Sequence, residues 1–196
     1  MTLLHCQKCG HDFLVFELAT GADPYFCPKC GAFGRRANGP RVWFDTEFIE
    51  DGRTIDLLSI GMVREDGATY YAVSEECDTS KANDWVRRNV LPHLGLPLVM
   101  KSRKQIKAEV LVFAGEAPEF WGYYADYDWV ALCQLFGRMI DLPPGWPKFC
   151  RDIKQFAMDL GNPKLPEQDG QEHHALADAI WNRLAWAFLR DRQPHH

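Results

Sequence analysis

Apolar and polar positions alternate along VWFDTEF, residues 42 to 48, as in a strand with one buried face. Val42, Phe44 and Phe48 fall on one side; Trp43, Asp45 and Glu47 fall on the other. Asp51-Gly52 marks a turn into a nearly continuous apolar run from about Leu57 to Arg64. Asp66-Gly67 is a tight hairpin signal before a third strand, ATYYAVS. The period then changes. A short helix is expected over about Lys81 to Asn89, and a second, capped by Ser102, runs to about Gly115. EFWGYYA reads as a short aromatic strand, and Asp126 as the cap of a helix in YDWVALCQLFG. KFCRDI is a strand end or a connector, followed by another helix and the loop GNPKLPEQDGQ. The last helix runs from about His173 or His174 to Arg190, with Leu176, Ile180, Leu184, Ala187 and Phe188 approximating an apolar stripe. Three antiparallel strands followed by alternating helices and strands predict an α/β fold, a mixed sheet covered by helices.

Residues 1 to 38 follow a different pattern and are expected to form a separate module, joined by the RANGP linker to a body over 39 to 196. Cys6, Cys9, Cys27 and Cys30 form two CxxC pairs, each followed by a glycine that eases the turn. Four thiolates on two knuckles suit one tetrahedral, structural Zn²⁺ and predict a zinc ribbon. A redox role is the alternative, although a redox CxxC normally accompanies a βαβ unit. His5 and His11 are neighbouring ligand types, but the four cysteines already complete the shell. Arg35 and Arg36, after the second knuckle, either touch phosphate or lie on a solvated surface.

Composition narrows the class. Seven cysteines, three of them scattered at Cys77, Cys133 and Cys150, argue against a disulfide scaffold and for a reducing, cytoplasmic setting. No apolar run reaches membrane-spanning length, and the start lacks the pattern of a secretory signal. The net charge of −5 tells against unspecific binding to long nucleic acid. It is uneven: residues 1 to 41 carry +2 and the remainder −7. A short basic segment, with Lys101, Arg103, Lys104 and Lys107, either guides phosphates or forms a solvated helix face.

The candidate chemistry is acidic. Asp45 and Glu47 share a strand face, repel each other and are costly to desolvate unless paired or bound to metal. A wet edge strand is the other reading. Asp126 and Asp128 stand at the head of one helix; His173, His174 and Asp178 stand at the head of the last. His174 and Asp178 share a helical face, whereas His173 and Asp178 lie about 140° apart on a regular helix. His173 therefore qualifies only from the helix start or the preceding loop. Ser59 interrupts the second strand and contacts either substrate or the sheet; Gly61 allows close packing.

FDTEF, YDWVAL and HHALAD together resemble the three motifs of the DEDDh exonucleases of the ribonuclease H-like superfamily. Residues 42 to 190 are similar to the mycobacterial ribonuclease AS type, polyadenylate-specific 3′-5′ exoribonucleases. The resemblance implies a ribonuclease H-like body and Mg²⁺ or Mn²⁺, two ions, on Asp45, Glu47, Asp128 and Asp178. It also implies His173 as the base, Asp126 as a bystander and a homodimer. The expected reaction is release of nucleoside 5′-monophosphates from single-stranded RNA 3′ ends, with adenylate tails preferred. Phe48, Tyr127, Trp129 and Ser59 are candidate substrate contacts, the aromatic ones equally core fillers. A DNA exonuclease of the same fold, or a non-catalytic zinc-ribbon adaptor, are the competing readings.

Overall fold

A computed structural model describes residues 2–5, 12–15, 29, 35–36, 39–95, 99–169 and 172–193. The chain divides into two compact units, Met1–Gly39 and Pro40–His196. In the first, β1 (Thr2–His5) pairs antiparallel with β2 (Asp12–Val15) and β3 (Arg35–Arg36), in the order β2-β1-β3. Cys6, Cys9, Cys27 and Cys30 lie outside the described residues.

The second unit is built on β4 (Arg41–Glu50), β5 (Ile55–Arg64) and β6 (Thr69–Ser74), the expected antiparallel meander. β8 (Glu119–Gly122) then adds parallel to β4, and β9 (Arg151–Asp152) parallel to β8. A two-residue strand that the sequence pattern does not reveal, β7 (Met100–Lys101), adds parallel to β6. The order is β7-β6-β5-β4-β8-β9, a mixed sheet with β4 and β5 at its centre.

Helices cover both faces. Val42, Phe44, Ile60 and Met62 pack with Ile106 and Val110 of α2 (Arg103–Ala114) and Leu132 of α3 (Asp126–Phe136). On the opposite face Trp43 and Trp121 meet Ile153 of α4 (Ile153–Asp159) and Ala185 and Leu189 of α5 (Ala175–Arg190). Towards β6, Ile49, Leu58 and Val73 pack on Val86 of α1 (Asp84–Asn89). A bulge lets β5 serve both layers: Glu47 pairs with Ser59 but Phe48 with Leu57, so Leu58 is skipped. Leu57 stays with Ile60 and Met62, while Leu58 turns to the other face.

Two local expectations need correction. Ser102 does cap α2, accepting from the Gln105 N–H at 3.2 Å. Asp126, however, caps nothing: the residue before α3 is Ala125, whose N–H donates to the Asp152 carboxylate at 2.8 Å. The apolar stripe of α5 is not its buried face either. The helix buries Ala175, Ala179, Asn182, Ala185 and Leu189, leaving Ile180 and Leu184 half exposed. The reason lies on β5. A Cβ on Gly61 would come within 2.2 Å of the Ala175–Leu176 backbone, so α5 lies against bare backbone and admits only small side chains there.

Candidate active site

The site forms where β4 loses its neighbour. β8 pairs with β4 only from Arg41 to Trp43, then ends and turns into α3. From Phe44 onward the backbone groups of β4 on that side need other partners. The Phe44 carbonyl accepts from Asn182 Nδ2 of α5 at 3.0 Å. The Thr46 N–H donates to Asp128 Oδ1 of α3 at 2.9 Å, and the Thr46 hydroxyl donates to the same oxygen at 2.5 Å. Asp128 thus stands in for the missing strand and is held, buried, at the fork. The carboxyl ends of sheet strands are where α/β folds open their crevices.

Asp178 reaches the same place from α5. The close Gly61 contact brings the first turn of this helix down onto the strand pair bearing Asp45, which lies opposite Gly61 in the ladder. Gln168 Nε2 donates to Asp178 Oδ1 at 2.6 Å and fixes the carboxylate. The tandem histidines part company here. His174 is the N-cap of α5, its Nδ1 accepting from the Ala177 N–H at 3.4 Å, and its ring stacks on Tyr71 at 4.4 Å. His173 precedes the helix with φ +64°, lines the cavity and meets the Trp85 ring edge-on at 4.7 Å. Since His173 is outside the helix, the 140° spacing does not apply to it.

Ligand oxygens of Asp45, Glu47 and Asp178 lie within 4.8 Å of one another. They open, with Asp128, into a cavity of about 770 Å³. Among the described residues, no ion pair with Lys or Arg offsets any of the four. Burial, then the charges of Asp128, Asp178 and Glu47, hold the Asp45 carboxyl well above the usual range. Burial and the charges of Asp178 and Asp128 push Glu47 up to about 8. Asp128 is also raised by burial, to about 6, against the lowering effect of its two Thr46 hydrogen bonds. Asp178 is raised by burial and partly restored by Gln168 and the nearby His173. Converging carboxylates with uncompensated charge are a fitting oxygen cage for a hard divalent cation.

Other expected contacts are distributed unevenly. Phe48 and Tyr127 line the cavity, with ring centres 5.7 Å apart. Trp129 does not: it is buried against Phe44 and Phe120 and is a core residue. Ser59 is fully buried opposite Glu47, within the sheet and off the cavity wall. The basic segment is largely committed within the protein, Lys101 to Glu109 at 2.5 Å and Arg103 to Asp56. Thr46, Gln168 and Asn182 were not foreseen, nor were Tyr123, Tyr124 and Trp181 on the cavity wall. For Asn182 a signal existed: an amide one turn beyond Asp178, on the face of α5 that carries the alanines.

A mixed sheet whose central strand carries paired acids, met by acids from helices on both faces, is consistent with the ribonuclease H-like fold, and its acid cluster is compatible with a divalent-metal catalytic site. The 3′-5′ exoribonuclease Rv2179c-like domain family matches residues 40–189. Two curated Mycobacterium tuberculosis proteins, the 3′-5′ exoribonucleases Rv2179c (strain H37Rv) and MT2234.1 (strain CDC 1551), are each 47% identical over 145 residues, 71% of this chain and 86% of theirs. The chain belongs to the 3′-5′ exoribonuclease Rv2179c-like family, hydrolases of phosphodiester bonds. Fold likeness reaches further. Exonuclease I without ligand superposes with a TM-score of 0.57 at 13% identity, over 80% of this chain and 43% of that one. Escherichia coli exonuclease I with single-stranded DNA gives 0.61 at 15% identity, over 80% of this chain and 42% of that one. At such identity the likeness concerns the fold.

Proposed function

We propose that this chain removes nucleoside 5′-monophosphates one at a time from the 3′ end of single-stranded RNA, with Mg²⁺ or Mn²⁺ as cofactor. The observation that carries the reading is the meeting of Asp45, Glu47, Asp128 and Asp178 at one cavity with, among the described residues, no Lys or Arg paired to them. Asp45, Glu47 and Asp178 would hold one ion, and Asp45 with Asp128 a second. Two such ions supply an activated water and charge neutralisation at the phosphate and the departing 3′-oxygen. His173, at the cavity wall beside Asp178, accepts the proton of the attacking water, a task that suits an imidazole. Phe48 and Tyr127 face the cavity from beside two of the acids and contact a base.

The finer parts of the reading have separate support. Preference for adenylate rests on the resemblance to ribonuclease AS alone. A structural zinc in the first unit rests on the spacing of Cys6, Cys9, Cys27 and Cys30. A homodimer has a surface available, since Ile180 and Leu184 stand half exposed one turn apart on α5. The decisive experiment offers 5′-labelled homopolymeric RNAs and DNAs with Mg²⁺ or Mn²⁺. RNA ladders shortened from the 3′ end, with adenylate fastest, support the reading. Equal turnover of DNA, or no metal-dependent turnover, overturns it.

A further inference from the structure

Tyr124 is a bulky residue in the left-handed region, φ +55°, and is 64% exposed while lining the cavity. Both features run against the ordinary preferences of an aromatic side chain. The backbone gives the reason for the turn but not for the residue. β8 must become α3 within three residues; a Cβ on Gly122 would already sit 2.7 Å from that of Ala125, and the Ala125 N–H is tied to Asp152. Glycine or asparagine at 124 would make this turn with less strain. A tyrosine held there, exposed beside the acids, is the kind of local conflict that concentrates at functional positions.

The ring is also buttressed. It meets Tyr123 edge-on at 4.7 Å, Tyr123 meets Trp181 at 5.0 Å, and the Trp181 indole N–H donates to the Pro166 carbonyl at 3.0 Å. Phe48 and Tyr127 form a separate pair at 5.7 Å that also lines the cavity. A strand entering the site presents a base on each side of the phosphate to be cut, and the cavity lining carries two aromatic groups to meet them.

We infer that Tyr124 is a stacking platform for a nucleobase adjoining the scissile phosphate, giving the site its grip on unpaired strands. The inference rests on the nuclease reading above. Stacking on aromatic rings tolerates any base but requires one that is free of a duplex.

The test uses the full-length protein and 5′-labelled RNA oligomers, intact or with an abasic residue at the last or the next-to-last position. For the parent protein, removing the base that Tyr124 meets lowers kcat/KM about tenfold. Tyr124→Phe keeps that penalty. Tyr124→Gly lowers kcat/KM on intact RNA by a similar factor, mainly through KM, and abolishes the penalty, while its thermal midpoint is not lower than the parent's. An unchanged abasic penalty in Tyr124→Gly at both positions overturns the inference. So does a fall in midpoint without any kinetic change, which makes Tyr124 a part of the scaffold only. If the parent hydrolyses no RNA at all, it is the nuclease reading that has failed.

Discussion

Asp45 is surrounded by three other carboxylates and, among the described residues, by no Lys or Arg paired with them, so its charged form is unfavourable in the metal-free protein. Replacing it by a neutral side chain removes repulsion and desolvation cost. Asp45→Asn is expected to abolish metal-dependent hydrolysis, at least about a thousandfold, while raising metal-free stability by on the order of 1 kcal/mol in urea unfolding. The sign of the pH dependence follows from Glu47. Between its ordinary value of 4.5 and about 8 it holds a proton in the folded, metal-free protein that the unfolded chain has lost. The folded state binds more protons over that window, so metal-free stability falls as pH rises through it. Thermal melts of chelated protein across that range should show the decline, and added Mn²⁺ should raise the midpoint most at the alkaline end. A rising metal-free curve would contradict the crowding of charge described above. Thr46→Val deletes one of two hydrogen bonds to Asp128 and should cost about 10- to 100-fold in activity or metal affinity. Asp45 and Glu47 could be read from the sequence because strand alternation puts them together. Thr46 could not, since its importance depends on β8 ending just where α3 begins.

At the scale of elements, β4, β5 and β6 were legible because turn residues punctuate them: Asp51-Gly52 and Asp66-Gly67 leave little freedom in the meander. The β5 bulge and the two-residue β7 leave no pattern that periodicity could detect. α5 shows how a clear pattern misleads. Its larger apolar residues suggested one face, yet the side set against β5 is selected for smallness, since Gly61 brings two backbones into contact. Gly61→Ala should therefore destabilise by about 3 kcal/mol or more, because the clash is with backbone that cannot rotate away. The accompanying loss of activity would be larger than the loss of folded protein, as Asp178 rides on the displaced helix. Asn182→Leu leaves the Phe44 carbonyl without its partner and should cost about 1–3 kcal/mol. Equilibrium unfolding measures both.

At the scale of the whole molecule, every residue assigned to the site falls between Asp45 and Asn182, inside the unit Pro40–His196. A chain beginning at Pro40 should thus retain hydrolysis of short oligomers within a few-fold of the parent. Metal analysis of the full chain purified without chelator should find about one zinc, and of the shortened chain none. Both outer strands of the sheet, β7 and β9, are only two residues long, which leaves little edge for another chain to pair with. The connection between α4 and α5 contributes Pro166 to the Trp181 indole, Gln168 to Asp178 and His173 to the cavity. Its described part has no helix or strand of its own. Such a segment is a natural point of entry for a protease, and each of its anchors ends at a group that cofactor or substrate would engage. Nicking near Lys164 by trypsin should accordingly slow when Mn²⁺ and a nucleotide are present, so that digestion patterns become a readout of occupancy in a protein that is not turning over.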